Sequence, residues 1–261
     1  MFPMADTSSN HLPGRSLFSG RWAADSLPRL LVSVRDASEA RMARRAGVDW
    51  IDLKNPDSGS LGAPELATSQ AVAQELADFP CRSIALGELA DLDLAASHSS
   101  AKVREMAEGF PIAKVGLARL GQSTAWQTAF RALARLLTPE TALVPVIYAD
   151  YRACDSPSPK AVLELIAEIQ APYLLIDTFH KAGQTVFDSL GRSELLEIVQ
   201  QASASDCHTV LAGSLQTPDR ATYQMLSISA VAVRGAVCHT DRRSPLCEKK
   251  LNLWVSEFAS A

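Results

Sequence analysis

Eight short apolar segments recur along the chain, and each is followed by a stretch with helical character before the next begins. Short runs of Val, Ile and Leu bounded by turn-forming residues are typical of strands that are buried on both faces of a sheet. The alternation of such strands with helices predicts repeated βαβ units and therefore a parallel sheet. The predicted strands are residues 30–34, 49–54, 82–87, 112–117, 143–149, 173–176, 209–212 and 230–233.

Several of the intervening helices carry signals at their ends. Asp36 resembles the N-cap of a capping box, and Gly47 is of the residue type that commonly ends a helix. Ser158 and the proline after it are typical of a helix start, and Thr217 with its following proline predicts a short helix. Apolar residues at helical spacing support these segments: Trp126, Phe130, Leu133 and Leu137; Val162, Leu165, Ile166 and Ile169; Leu195, Ile198, Val199 and Ala202; Leu251, Val255 and Phe258.

The number of these units sets the fold class. Eight strand–helix units in 261 residues, 47% of them hydrophobic, predict an α/β fold in which one sheet closes into a (β/α)8 TIM barrel. An open, doubly wound sheet is the alternative, but it would place a glycine-rich fingerprint after the first strand, where the sequence reads Val34-Arg35-Asp36. We expect residues 26–261 to form this single domain. Residues 1–25 are polar and interrupted by proline and glycine, which predicts a flexible leader.

Composition and charge argue against several classes of partner. The formal net charge is −4 and no stripe of Lys and Arg is present, so we expect neither nucleic-acid binding nor attachment to an anionic membrane surface. No apolar run approaches the roughly 18 residues of a membrane span. The five cysteines show no C-x-x-C spacing and no clustering with histidine, so we expect reduced thiols in a cytoplasmic protein and no metal site. A homo-oligomer is compatible with the sequence.

Lysine is scarce in the chain and occupies unusual positions. Seven lysines stand beside 18 arginines, and three of the seven lie in or just after predicted strands: Lys54, Lys114 and Lys181. A buried ammonium group is costly unless it is paired, because it loses its hydration. Lysines in such positions are candidates for Schiff-base formation or proton transfer, since burial frees the amine from its proton.

Carboxylates accompany these lysines at the ends of the predicted strands. Asp52 lies two residues before Lys54 and therefore shares its face of the strand, while Asp150 and Asp177 follow the fifth and sixth strands. The active site of a TIM barrel lies at the carboxyl ends of its strands, so we expect these residues to meet there. For any one residue, an ion pair that only fixes strand register is the alternative. The whole set predicts a catalytic site in which carboxylates balance charge and relay protons.

Two glycine-containing turns predict a phosphate site. Gly213-Ser214 follows the seventh strand and Arg234-Gly235 follows the eighth, which are the two loops that often bind phosphate in TIM barrels. Ordinary tight turns are the alternative, although Arg234 would add a charge for the anion. The long loop 55–63, rich in small residues, predicts a cover over the substrate. Residues 241–243 are interpreted as a solvated loop that could reach the phosphate site.

Taken together, these residues resemble the (5-formylfuran-3-yl)methyl phosphate synthase family. The similarity runs in order from about residue 30 to the C-terminus and is specific as a combination. It consists of Asp52-Leu53-Lys54-Asn55-Pro56 with Gly59-Ser60-Leu61-Gly62-Ala63, Lys114-Val115-Gly116-Leu117, Tyr148-Ala149-Asp150, Asp177-Thr178 with Lys181, Gly183, Thr185 and Phe187-Asp188, Leu211-Ala212-Gly213-Ser214, and Val233-Arg234-Gly235-Ala236 with Cys238.

The resemblance implies a barrel that condenses two molecules of glyceraldehyde 3-phosphate, releasing phosphate and water, to a furan carboxaldehyde phosphate on the way to methanofuran. It further implies Lys54 as the Schiff-base lysine and Lys114 as the proton acceptor, assisted by Asp52, Asp177 and Lys181. No metal or organic cofactor is implied. The chain departs from the family pattern at Gln184 and at His239-Thr240.

Two other functions remain open on the sequence. A class I aldolase or transaldolase-like barrel acting on another phosphosugar would use similar lysine chemistry. A non-catalytic barrel that binds a phosphorylated metabolite would need the phosphate loops but not the three lysines.

Overall fold

The structure is a computed structural model, and it describes residues 28–181 and 183–259. The predicted leader at residues 1–25 lies outside this part of the chain. Among the residues that the structure describes, no helix has the length and hydropathy that a membrane crossing requires.

Eight parallel strands close into a barrel in sequence order, with the first strand paired to both the second and the eighth. Closure confirms the (β/α)8 prediction and rules out the open, doubly wound sheet. The strands are β1 (Arg29–Val34), β2 (Trp50–Leu53), β3 (Arg82–Glu88), β4 (Ile112–Gly116), β5 (Ala142–Tyr148), β6 (Tyr173–Asp177), β7 (His208–Leu211) and β8 (Ala230–Val233).

Helices occupy the connections between strands and cover the outside of the barrel. Short 3₁₀ helices at Pro56–Ser58, Leu89–Asp91 and Gly235–Val237 lie in the loops that follow β2, β3 and β8. The α-helices are α1 (Ala37–Ala46), α2 (Leu66–Glu75), α3 (Ser97–Ala107), α4 (Trp126–Leu136), α5 (Pro159–Ile169), α6 (Val186–Ser189), α7 (Arg192–Ser203), α8 (Arg220–Met225) and α9 (Glu248–Phe258).

The predicted helix ends are confirmed at three of four positions. The Asp36 side chain accepts a hydrogen bond from the backbone of the first turn of α1, and Gly47, at φ 86°, ends that helix in the left-handed conformation. The Ser158 side chain caps α5 in the same way. The prediction of a helix start at Thr217 was wrong by two residues. Asp219 is the N-cap of α8, because its carboxylate accepts from the N–H of Thr222.

Alternating residues of each strand point into the barrel and divide it into an apolar lower part and a polar mouth. Near the amino ends of the strands, Trp50 and Tyr173 pack edge to face with ring centroids 5.6 Å apart. Leu31, Val144 and Val210 belong to the same buried interior cluster. Because these side chains fill the lower barrel, a ligand can enter only at the carboxyl ends, where the inward positions become polar.

Candidate active site

A cavity of about 270 Å³ lies at the carboxyl ends of the strands. Its lining contains the three strand-end lysines, Asp177 and the turns after β7 and β8. Every site residue predicted from the sequence lines this cavity except two: Asp52, which lies beneath it, and Asp150, which lies to one side. The lining residues from that prediction are Lys54, Lys114, Asp177, Lys181, Gly213, Ser214, Arg234 and Gly235.

Lys114 and Asp52 form a buried ion pair between β4 and β2. Lys114 Nζ lies 2.6 Å from Asp52 Oδ1, and both side chains are almost completely buried. The hydroxyl groups of Ser33 and Ser83, on the two strands flanking β2, donate to the two oxygens of the same carboxylate at 3.0 and 2.6 Å. Three hydrogen-bonding partners therefore fix the Asp52 carboxylate, which in turn orients the Lys114 ammonium towards the cavity floor.

A second ion pair joins Asp177, at the end of β6, to Lys181 in the following loop. Lys181 Nζ lies 2.6 Å from Asp177 Oδ1 and 3.1 Å from Thr178 Oγ1. The Ser60 hydroxyl reaches across the barrel mouth and donates to Asp177 Oδ2 at 2.8 Å. Burial alone would raise the pKa of Asp177, but the ammonium groups of Lys181 and Lys54 and these hydrogen bonds together lower it below its ordinary value. Asp177 is therefore an anion that balances the lysines.

Lys54 differs from the other two lysines because its amine has no hydrogen bond or ion pair within the described residues. Its backbone N–H donates to Val34 O, which fixes its place directly after β2, and its side chain is 9% exposed. Burial lowers the pKa of Lys54 to about 7. The negative charges of Asp177 and Asp52 offset part of this effect, and the positive charges of Lys181 and Lys114 reinforce it. Near neutral pH a large fraction of Lys54 is therefore the free amine, which is the nucleophilic form.

Asp150 does not join the cavity; it organises the loop that carries Lys181. Its two carboxylate oxygens accept from the backbone N–H groups of Phe179 and His180 at 2.7 and 2.9 Å, and one of them also contacts His180 Nδ1 at 2.8 Å. Burial would raise the pKa of Asp150, but these hydrogen bonds lower it instead. The structure thus supports Asp150 as a residue that positions the loop after β6, rather than one that touches a ligand in the cavity.

The turns after β7 and β8 present backbone N–H groups to the cavity. Gly213 and Ser214 have φ values of 101° and 56°, and a Cβ at Gly213 would come within 2.7 Å of Val186 Cβ. Only glycine permits this approach of α6. Within residues 28–181 and 183–259, the N–H groups of Gly213, Ser214, Gly235 and Ala236 have no hydrogen-bond acceptor. Backbone N–H groups without acceptors on two adjacent cavity-lining turns make these turns a candidate anion site.

Arg234 has different partners from those expected. Its side chain is 2% exposed, and Nη1 donates to Glu39 Oε2 at 2.8 Å and to Ser33 O at 2.9 Å. Its Nε donates to the carbonyl of Arg242 at 2.6 Å. The positive charge of Arg234 is therefore paired with Glu39. These contacts link the end of β8 to α1 and to the loop 239–246. The expectation that its guanidinium supplies the charge for a phosphate is not favoured by this geometry.

The structure brings to the site several side chains that the sequence did not single out. Ser33 and Ser83 hold Asp52, and Ser60 holds Asp177. Arg242 enters the cavity wall from a loop interpreted as solvated but able to reach the phosphate site. For the serines of β1 and β3, the available signal was a polar residue at an inward position of an otherwise apolar strand. The sequence predicted the loop 55–63 as a cover and indicated that residues 241–243 could reach the phosphate site. It did not identify Ser60 or Arg242 individually, because their positions depend on how two long loops fold over the barrel.

A second buried polar group lies beside the cavity, at the ends of β3 and β5. Tyr148 OH donates to one carboxylate oxygen of Glu88, and Ala118 N–H donates to the other at 2.9 Å. Burial raises the pKa of Glu88 despite these hydrogen bonds. A Cβ at Gly116 would overlap the Glu88 carboxylate, so glycine is required there for space rather than for backbone conformation. No group of three or more His, Cys, Asp or Glu side chains suited to a metal ion occurs in the described part of the chain.

Comparison with known proteins defines the family. The model of the 4-HFC-P synthase family matches residues 30–255. This range includes all eight strands of the barrel except Arg29, the first residue of β1. The chain belongs to the 4-HFC-P synthase family. The matched region contains the three cavity lysines, both ion pairs and the turns after β7 and β8.

Individual relatives show the same similarity along most of their length. A protein of Methanopyrus kandleri named (5-formylfuran-3-yl)methyl phosphate synthase is 31% identical over 220 residues, which cover 83% of this chain and 92% of that protein. The protein of the same name from Methanocaldococcus jannaschii is 29% identical over 241 residues, covering 85% and 95%. A protein of Methylorubrum extorquens, named as a putative synthase of the same kind, is 29% identical and covers 84% and 86%.

Solved structures similar to this one are TIM barrels of low sequence identity. Phosphoribosyl anthranilate isomerase from Thermotoga maritima superposes with a TM-score of 0.58 at 12% identity, covering 89% of this chain and 98% of that one. The isomerase from Thermus thermophilus gives 0.57 at 14% identity, covering 88% and 97%. At such identities the similarity concerns the fold alone.

Proposed function

We propose that this protein is a (5-formylfuran-3-yl)methyl phosphate synthase, which condenses two glyceraldehyde 3-phosphate molecules through a Schiff base on Lys54 in methanofuran-type cofactor biosynthesis. The observation that carries the proposal is that the three cavity lysines differ in their ion-pair partners. Lys114 and Lys181 each contact a carboxylate, whereas Lys54 contacts none among the described residues and has a pKa of about 7. The membership of the 4-HFC-P synthase family and the names of its relatives support the furan phosphate product, and glyceraldehyde 3-phosphate is the substrate that the sequence resemblance implies.

In the first step the free amine of Lys54 attacks the aldehyde carbon, and loss of water leaves an imine. The protonated imine withdraws electrons from the neighbouring C–H bond, so a base can remove that proton and generate an enamine. Lys114 is the proposed base. Its Nζ lies 2.6 Å from Asp52 Oδ1, so the carboxylate holds the amine facing the substrate and balances the positive charge that the amine gains when it accepts the proton.

In the second step the enamine carbon attacks the aldehyde of a second substrate molecule and forms the new carbon–carbon bond. Attack of a hydroxyl group on a carbonyl then closes the ring, loss of phosphate and water makes it a furan, and hydrolysis of the imine releases the aldehyde and returns the Lys54 amine. Lys181 lies beside the same cavity with Asp177, and we propose that this pair moves protons to and from the departing oxygens as phosphate and water leave. The free N–H groups of Gly213, Ser214 and Gly235 are proposed to bind a substrate phosphate. No step requires a redox change.

The test is borohydride trapping with glyceraldehyde 3-phosphate, followed by peptide mass mapping. Wild-type protein should give a reduced adduct on the Lys54 peptide and, without borohydride, a product with the ultraviolet absorbance of a furan. Lys54→Arg should give neither, because arginine stays protonated and cannot form an imine. Lys114→Arg should lose turnover yet still form the Lys54 adduct, since only proton removal is missing.

Lys160→Arg is the matched control, because Lys160 is 85% exposed on α5 and should retain both adduct and product. An adduct on Lys114 or Lys181 in place of Lys54 would reverse the assigned roles. An aldol product without furan absorbance would favour a class I aldolase-like barrel. Phosphate binding without any turnover would favour a non-catalytic metabolite-binding barrel.

A further inference from the structure

Arg242 enters the cavity from the loop between the 3₁₀ helix after β8 and α9. Its side chain lines the same cavity as Lys54 and Lys181, and its Nη2 donates to the carbonyl of Gly59 at 2.7 Å. Its backbone carbonyl accepts from Arg234 Nε at 2.6 Å. Arg242 therefore bridges two long loops, the one after β2 and the one after β8, at the edge of the cavity.

The charge of Arg242 is balanced differently from that of its two arginine neighbours. Arg234 pairs with Glu39 at 2.8 Å, and Arg243 pairs with Asp57 at 3.6 Å. Within residues 28–181 and 183–259, no carboxylate lies within 4.0 Å of the Arg242 guanidinium, which donates a hydrogen bond to the neutral carbonyl of Gly59. Burial lowers the pKa of Arg242 from its ordinary value, so the group has lost part of its hydration while it remains a cation.

The anion-binding turns lie next to this cation. A Cβ built on Gly235 would lie 3.7 Å from Arg242 Cβ and 3.8 Å from Arg242 N, which is ordinary van der Waals contact. Gly235 and Arg242 are therefore neighbours in the lining of the cavity, which also includes Ser214. A phosphate held by N–H groups alone would lack a compensating charge, and Arg242 supplies one.

We propose that Arg242 binds the phosphate monoester of the substrate, exchanging the Gly59 carbonyl for the phosphate oxygens. The inference rests on the proposed function for the identity of the phosphorylated aldehyde. A charge-assisted bond from guanidinium to phosphate is stronger than one to a neutral carbonyl, so a bound phosphate competes successfully for the group. Arg234 is then a positioning residue, since its hydrogen bond to the Arg242 carbonyl and its pair with Glu39 fix the loop that carries Arg242.

The exchange also couples substrate binding to the loop 55–63. When the phosphate takes the guanidinium, the carbonyl of Gly59 loses its partner, while the Ser60 hydroxyl remains bound to Asp177. The outer part of the loop then becomes free to adjust around the ligand, and the inner part stays fixed to the catalytic carboxylate.

Binding of inorganic phosphate to the full chain, measured by titration calorimetry, tests the proposal without any chemistry. Arg242→Gln should weaken the phosphate Kd by about tenfold or more, the range expected for loss of one charge-assisted contact. Arg242→Lys should recover part of the affinity, because it restores the charge but not the two-pronged geometry. Arg243→Gln is the matched control, since Arg243 is the exposed neighbour on the same loop and should bind phosphate as wild type does.

Kinetics with glyceraldehyde 3-phosphate should show a raised KM with a much smaller change in kcat for Arg242→Lys, as expected for loss of binding shared by ground and transition states. An unchanged phosphate Kd in Arg242→Gln would overturn the proposal, and so would an equal loss in Arg243→Gln. If Arg242→Gln fails to fold, the same criteria apply to Arg242→Lys. If wild type binds phosphate through Arg242 but makes no furan, the proposed function fails while this inference stands.

Discussion

Lys114 Nζ lies 2.6 Å from Asp52 Oδ1 in a part of the barrel where the carboxylate is completely buried. A buried ion pair contributes little net stability compared with an apolar pair of the same shape, but removal of one partner leaves an uncompensated charge. The pair is therefore better explained by chemistry than by stability. It places a carboxylate within proton-transfer distance of an amine that faces the cavity.

Asp52→Asn should destabilise the fold by about 3 kcal/mol, because the Lys114 ammonium would remain buried without a counter-charge. Chemical denaturation at pH 7 measures the effect. Glu164→Gln is the control: it removes an exposed ion pair to Lys160 and should change stability by less than about 1 kcal/mol. Equal stabilities for Asp52→Asn and wild type would mean that Lys114 does not depend on this carboxylate.

Most of the fold was predictable because the barrel strands are buried on both faces. The prediction for residues 230–233 coincides with β8, and residues 49–54 contract only at their ends to Trp50–Leu53. Such strands are continuous apolar runs that are easy to recognise. α2 and α3 carried no strong apolar periodicity, and α6 is a single turn that begins with a capping box at Thr185. Its existence depends on tertiary contacts, such as Val186 N–H with Gly213 O.

The site was predictable only where its residues lie at strand ends. Lys54, Lys114 and Asp177 meet because carboxyl ends of parallel strands converge in any closed barrel. The prediction for Arg234 used the same rule but could not identify Glu39, on α1, as the partner of its guanidinium. Arg242 lies in a loop that the sequence allowed to reach the phosphate site, but its place in the cavity depends on hydrogen bonds to Gly59 and from Arg234, which no local pattern reveals.

Lys54→Met should stabilise the protein while it abolishes Schiff-base chemistry. The pKa of Lys54 is about 7 in the folded state and 10.5 in the unfolded state, so between these values the unfolded state binds more protons. Wild-type stability therefore rises with pH across this window relative to the variant. The gain in unfolding free energy of Lys54→Met over wild type should be on the order of 5 kcal/mol below pH 7 and should disappear towards pH 10.5.

Denaturant unfolding of both proteins across pH 6–10 gives this difference directly. Lys160→Met, at an exposed position, should show no pH-dependent difference from wild type. If the difference in unfolding free energy between Lys54→Met and wild type is the same at all pH values, burial does not lower the pKa of Lys54.

Ser60→Ala should release the loop 55–63 from the barrel mouth. The Ser60 hydroxyl contacts both Asp177 Oδ2 and Thr178 O, and a hydrogen bond to a charged group contributes roughly 1.5–3 kcal/mol. Hydrogen exchange should show faster exchange of amides in residues 57–62. Ser58→Ala is the control on the same loop, because Ser58 is exposed and its hydroxyl accepts a hydrogen bond from Asn55 Nδ2, within the loop itself. Similar exchange in the two variants would argue against Ser60 as the anchor.

Gly116→Ala should disrupt the Glu88–Tyr148 pair, since the new Cβ would overlap the Glu88 carboxylate. We expect a loss of at least about 2 kcal/mol in unfolding free energy, the range for forcing a side chain into a packed interior together with a lost buried hydrogen bond. Gly191→Ala tests the same change in open space at a φ of −61° and should be nearly neutral. A stable Gly116→Ala would show that Glu88 can move without cost.

The reactivity of Lys54 should increase as the pH rises through about 7, because only the unprotonated amine attacks an aldehyde. Reductive methylation with formaldehyde and cyanoborohydride, quantified on the Lys54 peptide by mass spectrometry, measures this without requiring turnover. The neighbouring charges predict opposite shifts of the midpoint in two variants. Lys181→Met removes a positive charge that lowers the pKa of Lys54, so the midpoint should move to higher pH.

Asp177→Asn removes a negative charge that raises the pKa of Lys54, so its midpoint should move to lower pH. Lys160 in the same samples is an internal reference, because its exposed amine should react with the same pH dependence in all three proteins. Shifts in the same direction would mean that a change in burial, rather than charge, governs the amine. A midpoint near the ordinary lysine value in wild type would remove the electrostatic basis for Lys54 as the nucleophile.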